Sequence, residues 1–514
     1  MTGGISESCV VETAYGAARG ECQNGVYVWR GIPYAAPPVG DLRFKRPQPP
    51  AKWEGVRDAT KFGAICPQYR NLRRGSARVS EFSEDCLTLN IWAPGVSPAG
   101  APAADCKKRA VLFFVHGGYF TDGSGSDGEY DGANLVQAGD ILLVTINYRL
   151  GVHGFMDFSV LDDSFDANCG LWDILAALRW THENIEAFGG DPDNITVCGQ
   201  SAGAVCACLL SMNDEAKAYM KRGIMMSGIP TLLYTKEQSQ KIAGDFLDFI
   251  NVHDAGSLLA EPAMELAARQ KEFVNSYSLG SATFAPCVDG EMAGKYPIPA
   301  ASEGRTKGVP LLIGTTREEL SVVFFKSLSH TMRIQELREQ GLETELKEAR
   351  QRIKGSYERY GRRGPKIMVS DYIFRMPCIW FAEANSKHED TWMYRFDYET
   401  FGMRLSGLHA FHSSDIPFLF GNLKTGLANY MFLLSSSKTG VPKVQRELRG
   451  DFLAFIKTGK LSWGKCDGED TPARCYARNT SVEQAVPVDV KRAYDGSDFK
   501  RRSLEGGNNI PFNK

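Results

Sequence analysis

The hydrophobic residues of this chain gather into short, nearly continuous runs: Ala110 to Val115 (AVLFFV), Ile141 to Ile146 (ILLVTI), Ile195 to Cys198 (ITVC), Ile224 to Met226, Val309 to Ile313 (VPLLI) and Trp392 to Phe396 (WMYRF). Each run is closed by Gly, Ser, Asn or Asp and shows no polar alternation, which predicts strands covered on both faces. Between them the apolar spacing becomes helical, notably over Leu171 to Ala187 and Lys236 to Ile250. Strand alternating with helix predicts an α/β fold with a mostly parallel sheet and helices on both faces. The first 50 residues read differently, as short strands in CVVETAYGAARGE and GVYVWRGIPYA, and predict an antiparallel hairpin at the sheet edge. Residues 331–363 have the pattern of a charge-rich solvated helix, and 96–108 that of a surface loop.

Length changes this picture little. A chain of 514 residues exceeds the usual single domain, yet α/β enzymes keep one large core. We expect one catalytic domain over 1–514, with a helical insertion at residues 321–390. The 59 basic residues balance 61 acidic ones, and no block of like charge suggests nucleic acid or an anionic membrane. The N-terminus lacks a basic and then apolar leader, and no apolar stretch is long enough to span a bilayer. A soluble, cytoplasmic protein is the expectation.

The 13 cysteines are odd in number and widely spread, unlike a disulfide scaffold. Cys206 and Cys208 have no companion cluster at zinc spacing and read as core. Asn194-Ile195-Thr196 and Asn479-Thr480-Ser481 fit the glycosylation sequon, a pattern common by chance.

Candidate chemistry centres on Gly199-Gln200-Ser201-Ala202-Gly203. The pattern G-x-S-x-G is short enough to arise by chance, so its context decides. Here the predicted strand ITVC runs into it and a helix of small residues leaves it, which is the setting of a nucleophile elbow. The sharp turn strains Ser201, and the two glycines let strand and helix approach without Cβ clashes.

Around this motif the chain resembles the type-B carboxylesterase family of α/β-hydrolases. The likeness covers nearly the whole chain and is carried by RGIPYAAPPVGDLRF (30–44), SEDCLTLNIWAP (83–94), FFVHGGYF (113–120), INYRLGVHGF (146–155) and NIEAFGGDPDNITVCGQSAGA (184–204). It implies the α/β-hydrolase fold and a serine nucleophile followed in chain order by an acid and a histidine. Alignment of IGTTREE with the family implies Glu319 as the acid, with Glu318 facing solvent; Leu320 replaces a glycine that many relatives carry there. HSSDIPFLFG matches the family's histidine segment and implies His412 as the base, with His409 one turn away as the competing choice. Gly117 and Gly118 of HGGYF, with Ala202 after the nucleophile, are the implied oxyanion donors.

A metal reading of His409, His412 and Asp415 has no supporting family likeness, so no metal and no cofactor are expected. His153 stands where relatives carry an apolar aromatic and reads as a hydrogen-bonded interior histidine. The glycine-rich 121–132 matches neither a P-loop nor an EF-hand and reads as a mobile loop beside the site. Cys66 and Cys86 match positions bridged in secreted relatives; in a cytoplasmic protein they are expected close but reduced.

For substrate, the contrast with cholinesterases is informative. Those relatives carry a tryptophan between these two cysteines and a glutamate before the nucleophile, whereas this chain has several arginines, no tryptophan, and Gln200. The expectation is therefore a serine carboxylesterase acting on small neutral or anionic esters with short to medium acyl chains. Two alternatives stand beside it: a lipase acting on longer chains, and a non-catalytic interaction module of the cholinesterase-like kind. Oligomeric state does not follow from these residues.

Overall fold

Arg109–Val115 shows why the apolar runs are nearly continuous. Val111, Phe113 and Val115 join one hydrophobic core while Leu112 and Phe114 join a second on the opposite face. A strand whose alternate side chains enter two different cores has no solvent face to mark with polar residues. The computed structural model describes residues 8–69, 81–95, 108–321, 345, 347–423 and 440–507.

The strands in chain order are β1 (Ser8–Thr13), β2 (Gly16–Gln23), β3 (Val26–Pro33), β4 (Val56–Asp58), β5 (Thr88–Pro94), β6 (Arg109–Val115), β7 (Leu142–Ile146), β8 (Gly190–Gln200), β9 (Arg222–Met226), β10 (Tyr234–Thr235), β11 (Cys287–Val288), β12 (Leu311–Thr316), β13 (Thr391–Phe396), β14 (Pro472–Tyr476) and β15 (Ser481–Gln484). Among the described residues, thirteen of them form one sheet of order β1-β2-β3-β5-β7-β6-β8-β9-β12-β13-β14-β15, with β4 beside β2. From β7 to β14 every neighbouring pair is parallel, while the pairs from β1 to β7 along this order and the pair β14-β15 are antiparallel and β4 runs parallel to β2. This is the α/β-hydrolase architecture expected from the sequence. The N-terminal hairpin is a three-stranded meander: CVVETAYGAARGE breaks at Ala14 and Tyr15 into β1 and β2.

The helices that position the site are α1 (Cys169–Asn184), α2 (Ala202–Leu210), α3 (Lys236–Ile250), α4 (Gly364–Ser370), α5 (Met376–Asn385), α6 (Ile416–Phe420) and α7 (Gly440–Thr458). α3 starts at a capping box in which Thr235 and Gln238 satisfy each other's backbone N–H. α7 ends beside Arg222, whose Nη1 reaches the Ile456 carbonyl. Burial, with no carboxylate paired to it among the described residues, pushes this guanidinium down to about 10, and the negative end of α7 supplies the compensation.

Between β12 and β13 the described residues are mainly helical. Residues 96–107 of the loop expected at 96–108, and much of the charge-rich helix expected at 331–363, residues 331–344 and 346, lie outside the described residues. Among the described residues no helix is long and apolar enough to cross a membrane.

The strand order reverses at β6. It is flanked by β7, which follows it, and by β8 on the other side. The segments leaving the carboxyl ends of β6 and β8 meet at this reversal, on the side of the sheet where ligands bind in open α/β folds.

Candidate active site

Ser201 sits between β8 and α2 at φ 56° and ψ −120°. A non-glycine residue in this region is strained, and the surrounding contacts hold it. Its N–H donates to the Met226 carbonyl at 2.8 Å, and its carbonyl accepts from Ala204 and Val205, starting the helix. A Cβ on Gly199 would collide with the Gly203 carbonyl, and one on Gly203 with the Val115 carbonyl. Strand, helix and the end of β6 thus pass at backbone contact, which explains both glycines.

The β6 exit lies against this turn. A Cβ on Gly117 would stand 3.0 Å from the Ser201 Cβ and 2.5 Å from Gln200 Oε1. Gly118 has φ 125°, and its carbonyl accepts the N–H groups of Thr121 and Asp122. Among the described residues the N–H groups of Gly117, Gly118 and Ala202 make no backbone hydrogen bond. The segment beyond is packed rather than free-standing: Gly123 N–H donates to Gln68, Gly125 N–H to Asn147, and Ser124, Ser126 and Asp127 are buried.

Glu319 follows β12 and has no solvent exposure. Its Oε1 accepts from the Ser227 hydroxyl and the Thr316 N–H, both at 2.7 Å. Its Oε2 lies 2.6 Å from His412 Nδ1, and the His412 backbone N–H donates to the Glu319 carbonyl at 3.1 Å. The ring of Phe374 flanks His412 at 5.2 Å between centroids. His412 Nε2 faces the Gln200 amide nitrogen at 3.1 Å, and the same amide donates to Ser413 Oγ at 2.8 Å. Among the described residues no hydrogen bond joins His412 to Ser201 Oγ. The carboxylate at Nδ1 and the amide nitrogen at Nε2 are the partners that suit an imidazole carrying its proton on Nδ1 and its lone pair on Nε2.

Glu318 departs from expectation. It does not face solvent but is fully buried, because its N–H bonds to Ala410 and Arg363 reaches in to bind Oε1 through both Nε and Nη2. Arg363 also binds Glu399, whose Oε2 meets His409 Nδ1 at 3.2 Å. The three residues of the metal reading separate: His409 goes to Glu399, His412 to Glu319 and Asp415 to the Tyr394 hydroxyl. Among the described residues, Glu318, Glu399 and His409 are close enough to share a cation, but the Arg363 guanidinium occupies that position electrostatically. Burial pushes the Asp415 carboxyl up to about 6.

His153 is interior, but among the described residues neither ring nitrogen has a hydrogen-bond partner, and Phe44 stacks on it. Burial, reinforced by Arg43 and Arg149, pushes it down to about 3. Cys66 and Cys86 are buried free thiols, and a hydrogen bond that the Cys86 thiol donates to Cys66, together with burial, pushes Cys86 up. Burial likewise pushes up the thiols of Cys206 and Cys208 inside α2, as inert core cysteines require. The roles of Ser227, Arg363, Phe374 and Glu399 had no local sequence signal, since each depends on where its segment meets another.

Comparison with known proteins points to one family and fold. The model of the carboxylesterase family matches residues 7–472. The para-nitrobenzyl esterase of Bacillus subtilis (strain 168) is 37% identical over 502 residues, covering 96% of this chain and 98% of that protein. Among solved structures, a PNB esterase superposes with a TM-score of 0.83 at 34% identity, covering 94% of this chain and 99% of the other. A Geobacillus stearothermophilus carboxylesterase gives 0.81 at 35% identity, with the same coverage.

Proposed function

The chain belongs to the carboxylesterase family and is a carboxylic ester hydrolase, and we propose that it acts through an acyl-enzyme on Ser201. The observation that carries this reading is the buried Glu319 carboxylate 2.6 Å from His412 Nδ1, at the same end of the sheet as the strained Ser201. In this mechanism the Ser201 hydroxyl takes the place of the Gln200 amide at His412 Nε2. Its oxygen attacks the ester carbonyl while Nε2 takes its proton. The N–H groups of Gly117, Gly118 and Ala202 receive the oxyanion, the alcohol leaves with the proton from His412, and water repeats the sequence to release the acid. Glu319 holds the tautomer and stabilises the imidazolium.

The proposed substrates are neutral or anionic esters with short to medium acyl chains. Gln200, 3% exposed and in contact with His412, supports this reading, because a carboxylate at that place would favour a cationic ester. We take residues 1–514 as one catalytic unit with 321–390 as its helical insertion. Buried free thiols suit a reducing compartment, and a cytoplasmic location is part of the proposal.

The test is initial rates on para-nitrophenyl esters from acetate to palmitate, with Ser201→Ala in parallel and intact-mass detection of an acylated enzyme. A short-chain optimum, an acyl adduct and loss of both in the variant are expected. A palmitate optimum would replace the substrate reading with a lipase, and an unaffected variant would remove Ser201 from the mechanism.

A further inference from the structure

Asp371–Arg375 forms one π-helical turn between α4 and α5, with the Met376 N–H bonded to the Asp371 carbonyl five residues back. Such a turn gives up regular α-helical bonding, and it persists where the side chains it redirects compensate. Here they reach two loops at once. Arg375 is 3% exposed; its Nε donates to Thr315 Oγ1 at 3.0 Å, and its Nη2 donates to the carbonyls of Thr316 at 2.7 Å and Arg317 at 3.1 Å. Asp371, in the same turn, pairs with Nη1 and also accepts from the Tyr357 hydroxyl. Just before the turn, Ser370 Oγ accepts the Leu320 N–H at 3.4 Å.

The grip falls on the segment that carries Glu319. Arg375 holds the Thr316 carbonyl, and the N–H of Thr316 is a donor to Glu319 Oε1. Ser370 holds the residue on the other side of Glu319. The neighbouring side chain, Phe374, flanks the His412 ring. One turn of helix therefore touches His412 directly, through Phe374, and the backbone segment that precedes its partner Glu319, through Arg375, although the two partners are 93 residues apart in the chain.

We infer that this π turn is a positioning device for the Glu319–His412 pair, in which Arg375 fixes the carboxylate through the Thr316–Arg317 backbone and Phe374 fixes the plane of the imidazole. Neither residue touches the reacting atoms; both are positioning residues. The inference rests on the reading of Glu319 and His412 as orienting acid and general base.

The test uses Phe374→Leu, Arg375→Lys and the charge-neutral pair Arg375→Met with Asp371→Asn, assayed for kcat and KM on para-nitrophenyl acetate. Alongside, one-dimensional proton NMR follows the downfield resonance of the proton between His412 Nδ1 and Glu319, assigned by its loss in His412→Ala. Displacement of a positioned group by about 1 Å costs about 100-fold in rate, so a 10- to 100-fold fall in kcat is expected. KM should change little, the resonance should shift or broaden, and Arg375→Lys should retain part of the rate. Folded variants with unchanged kcat and an unchanged resonance, whatever their melting temperature, would overturn the inference; Phe374→Leu, the mildest change, keeps the test available if the arginine variants do not fold. Full activity in Glu319→Gln and His412→Ala would instead overturn the underlying reading of these two residues as orienting acid and general base.

Discussion

Glu318 and Glu319 are consecutive, both fully buried, and committed to different partners: Glu318 to Arg363, and Glu319 to His412, Ser227 and Thr316. Two adjacent buried carboxylates are tolerable only because each has its own compensation, one a cation and the other a set of hydrogen bonds. The separation of the two networks makes their roles separable by mutation.

Glu319→Gln should keep the fold and lose activity. An amide can still accept from Ser227 but no longer stabilises the imidazolium and can favour the wrong tautomer. A fall in kcat of about 10⁴-fold is expected, by analogy with the corresponding change in a serine protease. Single-turnover acylation rates check it; a loss below tenfold would contradict the assigned role.

Arg363→Met should act on stability first. It leaves Glu318 buried without its cation, at a cost of about 3 kcal/mol. Adding Glu318→Gln should recover much of that loss. Urea denaturation of the single and double variants measures the coupling, and equal midpoints would show that Arg363 is not the compensation for Glu318.

Gly117→Ala places a methyl group 3.0 Å from the Ser201 Cβ and 2.5 Å from Gln200 Oε1. Either the β6 exit or the elbow must shift, and the N–H donors shift with it. Loss of an oxyanion donor costs about 10²- to 10³-fold in kcat. A variant that melts near the wild-type temperature yet turns over at the wild-type rate would refute this use of Gly117.

His153 gives a pH dependence of definite sign. Its folded value of about 3 lies below the ordinary 6.5, so between those limits the unfolded chain binds a proton that the native state refuses. The native state is consequently destabilised as pH falls from 6.5 towards 3, by about 2 kcal/mol at pH 5 from this residue alone. His153→Phe, which keeps an aromatic ring against Phe44, should flatten the stability profile between pH 7 and pH 5. Parallel profiles for the two proteins would exclude His153 as the cause of acid sensitivity.

Much of the site was legible because its signals are local. The strained turn at Ser201, the glycines that let β8 and α2 touch, and the glycines after β6 are dictated by neighbours one to four residues apart. The two-faced burial of β6 and β8 follows equally from consecutive apolar side chains. The choice of Glu319 and His412 came from likeness to a family, since no spacing within the chain relates residues 93 apart.

The sequence by itself determined the α/β alternation, the parallel strands and the geometry of the elbow, because backbone sterics and strand periodicity act over a few residues. Tertiary structure alone decided that Glu318 turns inward to Arg363, that Gln200 meets His412 Nε2, that His153 has no hydrogen-bond partner among the described residues and that a π turn grips the Glu319 segment. The first and last depend on the direction of side chains leaving a turn, where period two and period 3.6 both fail. All four depend on which distant segment is packed against them, a relation that no local pattern encodes.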